Sequence, residues 1–353
     1  MKIVYLTDIH DALKELRVLL STTEADLYLL SGDILYKAFY DDDKVYEFVC
    51  LQEDFWNLAR NLKRKIVPFD LASDILRFPE NYANDSELQT KATEYRQLFE
   101  KATKNMKEKY ELIEELIRKF SHAESVMLPG NYDIDLRYTA LRDRDMHQHE
   151  KTIGGLKFAG YGGAPIATSG IPEKLAVGYH EKTKDGQLYS EPQDYFEEKT
   201  PDVMLIHNPA YGFFDRVPGL GHVGSQGIRN YLDQNNPRLV VSGHVHEDYG
   251  VALRGGTIFL NPSNFGGVDS PYGWQAGGAY AEIFMERPEN PSAGRAPVVR
   301  QVNIMRLVED RSVVLAEISN TSEGLQGKII EENRVHAHID LDVLVRDSSG
   351  AVP

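Results

Sequence analysis

The chain has 353 residues, 42% of them hydrophobic and 26% charged, enough for one large domain with an insertion or for two domains. Its net charge of −15 argues against a broad nucleic-acid-binding face, because phosphate-rich partners would be repelled by much of the surface. A single cysteine, Cys50, excludes an intrachain disulfide framework; no apolar run approaches the ~20 residues that span a bilayer, and with no leader pattern at the N-terminus a cytoplasmic location is expected.

The first predicted strand opens the chain and ends at His10, in the triplet Asp8-Ile9-His10. Residues 11–20 then place Leu13, Leu16, Leu19 and Leu20 at three- and four-residue spacing, which predicts an amphipathic helix. A second apolar run, Leu27 to Leu30, ends in Ser31-Gly32-Asp33. Strand, helix, strand in this order is a parallel βαβ unit, and open sheets of this kind bind ligands beyond the carboxyl ends of their strands.

Residues 40–122 change character: they are mostly charged and helix-forming. One long helix is predicted over Asp43–Leu62 and another over Ser86–Phe120, with Ser86 and Gln89 spaced as a capping box. This segment is read as a helical insertion, either packed against the sheet or acting as a lid over the site. The sheet resumes at Ser125 and ends in Gly130-Asn131-Tyr132-Asp133. A further strand from Leu156 leads into Gly162-Gly163, a tight turn or a close approach of backbone to ligand. Residues 171–200 read as an irregular surface excursion.

Two more strands end in His207 and in Gly243-His244-Val245-His246, and a hairpin is predicted over 249–260. Ser225 suits the N-cap of a helix carrying Ile228, Tyr231 and Leu232. Beyond a Pro- and Ser-containing stretch, alternation predicts strands over 298–307, 313–318 and 336–345. The domain reading is therefore residues 1–287 as a catalytic domain and 288–353 as a β-rich extension, the latter a candidate homo-oligomer contact.

Five apolar runs thus deliver Asp, Asn or His at their C-terminal ends. Mixed imidazole and carboxylate donors suit Mn, Fe, Zn or similar divalent ions, whereas an all-oxygen cage favours Ca or Mg. A carboxylate can bridge two ions ~3.5–4 Å apart. A lone strand-end His is usually structural; five such ends in one chain point to a metal site. His147, His149, His336 and His338 lie outside these motifs and are assigned no chemistry.

In order, Asp8-Ile9-His10, Gly32-Asp33, Gly130-Asn131-Tyr132-Asp133, His207 and Gly243-His244-Val245-His246 resemble the five signature blocks of the calcineurin-like metallophosphoesterase superfamily. The resemblance spans most of residues 1–285 and implies an α+β fold, a four-layer β-sandwich flanked by helices, with the helical insertion and the C-terminal extension outside it. It implies two divalent metals (Mn favoured, with Fe, Zn or Mg as alternatives), one held by Asp8, His10 and His246, the other by Asn131, His207 and His244, with Asp33 bridging. The implied reaction is hydrolysis of a phosphate monoester or diester by a metal-bound hydroxide.

The family's Asn is commonly followed by a His held by the next acid, and here that position is Tyr132. Asp133 is then an orienting partner without its usual client, and a phenol of ordinary pKa ≈ 10 is a poor proton donor at neutral pH. His222 and Asn264 are further candidates for substrate contact, Asn264 lying in the Asn261-Pro262-Ser263-Asn264 segment that resembles the family's closing turn. The alternative function is a scaffold of the same fold that binds a protein partner through its insertion; a chain retaining all seven ligands favours the enzyme.

Overall fold

A computed structural model of the chain describes residues 1–165, 168–270, 273–286 and 297–346. Strand β1 (Lys2–Thr7) lies parallel to β2 (Leu27–Ser31), and β2 parallel to β3 (Glu124–Leu128), with Ile3 opposite Leu27 and Leu27 opposite Glu124. On its other side β1 pairs antiparallel with Ala279–Glu286. Strands Val298–Val308, Arg311–Thr321 and Gly324–Ile329 continue outward from there, so this sheet has seven strands. The tail is thus continuous in hydrogen bonding with the N-terminal strand, while the 287/288 boundary itself lies outside the described residues. A second seven-stranded sheet has Val203–Ile206 and Leu239–Val241 at its centre, flanked by Leu156–Tyr161 and Thr257–Asn261.

The two-residue side-chain period of a strand explains how these sheets stack. Ile3, Tyr5, Leu27, Leu29, Val126 and Leu128 point one way and meet Phe158, Val203, Leu205, Leu239, Val241 and Leu260 of the second sheet. Val4, Leu6, Tyr28 and Leu30 point the other way, towards helices. Residues Met204, Ile206 and Val240 likewise turn outward, onto Phe196, Ile228, Tyr231 and Leu232. Buried on both faces, the central strands read as unbroken apolar runs. The result is the expected α+β arrangement, helices outside two sheets.

The helices are α1 (Leu13–Thr22), α2 (Asp42–Asn61), α3 (Pro68–Arg77), α4 (Ser86–Phe120), α5 (Glu191–Lys199) and α6 (Gln226–Gln234). Helices α2 to α4 form the insertion, and Phe48, Phe55, Leu71, Ile75, Tyr95 and Ile113 join the core over the outer face of the first sheet. The cap of α4 differs from expectation. Asp85, not Ser86, caps it, its Oδ1 accepting from the N–H groups of Glu87 at 2.9 Å and Leu88 at 3.1 Å. Ser225 caps α6 as expected, accepting from Ile228 N at 3.0 Å.

Two further expectations need correction. Residues 171–200 are not irregular throughout: Glu181–Lys184 and Gln187–Ser190 form a hairpin, and α5 follows. The hairpin's strands are short, charged and largely exposed, so no apolar alternation announces them. Residues 336–345 are not one strand. Two 3-10 turns, Glu331–His336 and Leu341–Val343, precede a two-residue strand, Val345–Arg346. There Leu341 and Leu344, three apart, are buried in the inter-sheet core, a spacing that suits a three-residue turn rather than a strand.

Candidate metal centre

The loops that follow the strands bend sharply. Asp8, His10, Asp33 and His244 all have positive φ, at 54°, 47°, 37° and 68°. Such a conformation is uncommon outside glycine, and clusters of it mark functional sites. The adjoining glycines make room. A Cβ on Gly32 would lie 1.8 Å from His207 Nδ1; one on Gly130, 2.1 Å from both Asp33 N and Asp33 Oδ1; and one on Gly243, 2.0 Å from Thr7 Oγ1 and 2.4 Å from Asp8 Oδ2. These three positions therefore admit only glycine, because His207, Asp33, Thr7 and Asp8 press against their backbone.

Two groups of side chains result, Asp8, His10 and His246 in one and Asp33, His207 and His244 in the other, each offering ligand atoms within 4.8 Å of one another. Asp33 lies between them. Its Oδ2 is 3.9 Å from His10 Nε2, and its Oδ1 is 3.4 Å from His207 Nε2. Asn131 Oδ1 joins the second group, 3.0 Å from His207 Nε2. His246 Nε2 stands 3.4 Å from Asp8 Oδ1 and, though shielded from solvent, has no hydrogen-bond partner among the described residues; nor have His10 Nδ1 and His207 Nδ1. Buried ring nitrogens left without a hydrogen bond are costly unless a further partner takes them. The donor set, mixed imidazole, carboxylate and amide oxygen, fits divalent transition ions.

The electrostatics agree with that fit. Burial works against ionised carboxylates here, yet His246 keeps Asp8 below the usual range, and His207 with His10 keeps Asp33 well below it. Burial and the adjacent His207 push His244 down to about 4. Burial also opposes a charged His246, but Asp8 overrides it and lifts that imidazole to about 9. Protons on these rings stand in for positive charge that the carboxylates otherwise lack.

Tyr132 and Asp133 enter the site differently from expectation. The Tyr132 backbone N–H donates to Asp33 Oδ1 at 2.8 Å, while its half-buried ring packs beside the helical core. Burial and Asp33 raise the phenol above its ordinary pKa, so it stays protonated. Asp133 is not a carboxylate awaiting a partner. Its Oδ2 accepts from Gly130 N at 2.7 Å and Ile34 N at 2.9 Å, and its Oδ1 from Leu35 N at 3.2 Å and Tyr110 Oη at 2.8 Å.

His222 sits in the exposed two-residue strand Gly221–His222 and pairs through Nδ1 with Asp215 Oδ1 at 2.6 Å. Asn264 is buried, its Nδ2 donating to Gly266 O and its Oδ1 accepting from Ser263 Oγ. Gly266 packs against Ile9 O and His10 Cβ, which makes Asn264 a support of the His10 loop. Gly162 and Gly163 approach Pro129 and Val177 backbone rather than an open cavity.

Several contacts around the site carry no sequence signal. Thr168 Oγ1 accepts from Asn131 Nδ2 at 2.8 Å, and Gln275 Oε1 faces His246 Nδ1 at 2.9 Å. The Tyr36 ring lies 5.6 Å from that of His10. A partner to the second nitrogen of a ligand imidazole is a recurrent need of metal sites, but which residue meets it depends on how distant segments fold together.

The model of the calcineurin-like phosphoesterase family matches residues 95–248. That stretch contains Asn131, His207, His244 and His246, while Asp8, His10 and Asp33 precede it and join them in space. Metallophosphoesterase domain-containing protein 1 of Homo sapiens is 41% identical over 64 residues, 18% of this chain and 20% of that protein. The match therefore takes in only about a fifth of the length of that relative. An uncharacterized protein of Methanocaldococcus jannaschii is 26% identical over 160 residues, 43% of this chain and 70% of that protein. Among solved structures, TT1561 of Thermus thermophilus is 14% identical with a TM-score of 0.42, over 80% of this chain and 93% of that one. Over residues 95–248 the chain is thus similar to the calcineurin-like phosphoesterase family.

Proposed function

We propose that the chain hydrolyses a phosphate ester at a two-metal centre, with Asp8, His10 and His246 holding one ion, Asn131, His207 and His244 the other, and Asp33 shared. The observation that carries this reading is the placement of Asp33: its two carboxylate oxygens face histidines of different groups, His10 and His207. Divalent ions in such a centre supply Lewis acidity towards phosphoryl oxygens and a nucleophile at neutral pH. Mn is the proposed metal.

The chain's own residues fix that chemistry in place. Tyr132 N–H and Gly130 hold Asp33 from one side. The Thr7 hydroxyl donates to Asp8 Oδ2 at 2.8 Å, and His244 N–H to both Asp8 oxygens. The protonated Tyr132 phenol donates a hydrogen bond to a substrate oxygen but is too weak an acid to protonate a leaving group efficiently. Esters whose leaving group departs without a proton, aryl esters above all, are therefore the proposed preferred substrates, with diesters favoured.

Turnover of p-nitrophenyl phosphate and of bis(p-nitrophenyl) phosphate with added Mn²⁺ tests the proposal. Hydrolysis of at least one, lost in Asp33→Ala, is expected. Failure of both, with Asp33→Ala indistinguishable from wild type on every ester tried, overturns it. Among the described residues no helix is long and apolar enough to cross a membrane.

A further inference from the structure

The residues just after Asp33 present four consecutive backbone N–H groups, and two carboxylates take all of them. Asp133 accepts from Ile34 and Leu35. Asp11 Oδ2 accepts from Tyr36 and Lys37, each at 3.2 Å. Each carboxylate belongs to a neighbouring ligand loop, Asp11 following His10 and Asp133 standing two residues after Asn131. The loop bearing Asp33 is thereby tied to both other loops.

Both carboxylates also receive a donor from α4, and these two donors are adjacent in sequence. Lys109 Nζ lies 2.8 Å from Asp11 Oδ2 and 2.7 Å from Lys37 O. Tyr110 Oη lies 2.8 Å from Asp133 Oδ1 and accepts from the N–H of the next residue, Ile134, at 3.3 Å. Successive helical residues point ~100° apart, so the pair reaches the two carboxylates that hold the loop, one each. Lys109 is only 5% exposed and Tyr110 fully buried. A buried ion pair is weak evidence of stability, because apolar side chains of similar volume often serve that end as well or better. Its placement on the Asp33 loop instead suits orientation of ligands.

We propose that Lys109 and Tyr110 are positioning residues for the metal centre, and that the helical insertion is a fixed brace on the Asp33 loop. This rests on the two-metal reading of the site. A second set of contacts is consistent with a fixed insertion: Gln52 and Tyr95 of α2 and α4 hold Glu173 at 2.8 and 2.6 Å, and Gln52 Oε1 accepts from Gly170 N at 2.8 Å, two residues beyond the Asn131 partner Thr168.

Mn²⁺ binding by isothermal titration calorimetry on the full chain is the test, with wild type, Tyr110→Phe, Lys109→Gln, Lys109→Arg and the exposed-site control Lys104→Ala. Loss of a partner behind a metal ligand typically costs 10–100-fold in affinity. Tyr110→Phe and Lys109→Gln are expected to weaken Mn²⁺ binding about tenfold or more, Lys109→Arg to recover most of it, and Lys104→Ala to match wild type. If the two variants lower only the melting temperature of the metal-free protein and bind Mn²⁺ as wild type does, the brace is overturned while the metal reading stands. A wild-type chain that takes up no Mn²⁺ overturns the metal reading itself.

Discussion

The backbone N–H of Tyr132 donates to Asp33 Oδ1 at 2.8 Å, so this residue serves the proposed bridging carboxylate through its main chain, whatever side chain it carries. Its hydroxyl makes no hydrogen bond among the described residues, and burial with Asp33 nearby keeps the phenol protonated. Tyr132→Phe is therefore expected to lower kcat on aryl phosphate esters by less than about tenfold, short of the roughly 10²–10⁴-fold that a positioned acid–base group contributes. The shape of the pH–rate profile should not change. A shifted or lost basic limb in that profile would assign the phenol a proton-transfer role after all.

Restoring the family's histidine is not expected to restore an acid. Burial lifts Asp133 to about 7; in its ionised form it offers about four acceptor sites, all occupied by Gly130, Ile34, Leu35 and Tyr110. A histidine at 132 would find no free lone pair there to orient it. In Tyr132→His, the dependence of kcat on leaving-group pKa across a series of aryl esters should remain as steep as in wild type. A flattened dependence would show that Asp133 can exchange a partner for the new ring.

Gly243→Ala tests the packing beneath the first ligand group. The new Cβ would fall 2.0 Å from Thr7 Oγ1 and 2.4 Å from Asp8 Oδ2, so the Thr7–Asp8 hydrogen bond and the Asp8 carboxylate must move. Mn²⁺ affinity measured calorimetrically should fall by about tenfold or more, with the circular dichroism spectrum preserved. Retained affinity would mean that Asp8 tolerates displacement and is not held to one position.

The strand-end side chains that the structure brings together were legible because burial and chemistry leave opposite marks on one short stretch: an apolar run for a strand covered on both faces, then a carboxylate or imidazole. Helix α4 was legible for a similar reason, since Tyr95, Phe99, Met106 and Tyr110 repeat at four and seven residues over a long span. That stripe also concealed Tyr110, which reads as one more core aromatic yet spends its hydroxyl on Asp133. Lys109 beside it reads as a solvated charge. Its contact with Asp11 joins residues 98 apart in sequence, and no local period encodes such a meeting. The polar hairpin at 181–190 was lost for the opposite reason: Glu181 is fixed by Ser190, Ser225 and the start of α6 rather than by apolar burial.

His147, outside every motif, governs a pH dependence of stability. It is buried, its Nδ1 accepts from Gly162 N at 3.0 Å, and burial pushes it down from 6.5 to about 4. Above pH 6.5 the ring is neutral folded and unfolded and contributes nothing to the slope. As pH falls below 6.5 the unfolded chain takes up a proton that the native chain refuses, so stability drops until the folded value is reached. Asp145, whose Oδ1 accepts from His147 N at 2.8 Å, opposes this. Burial raises it to about 6, so its contribution is present at low pH and lost as pH rises through that value. The wild-type curve therefore blends two slopes of opposite sign, and the informative quantity is the difference from His147→Asn, which keeps an acceptor near Nδ1 but does not titrate. At 1.36 kcal/mol per pH unit, wild type should lose about 2 kcal/mol relative to the variant between pH 6.5 and 5, measured by urea unfolding at each pH. Parallel curves over that window would show that the native state takes up the proton at His147 as readily as the unfolded chain does.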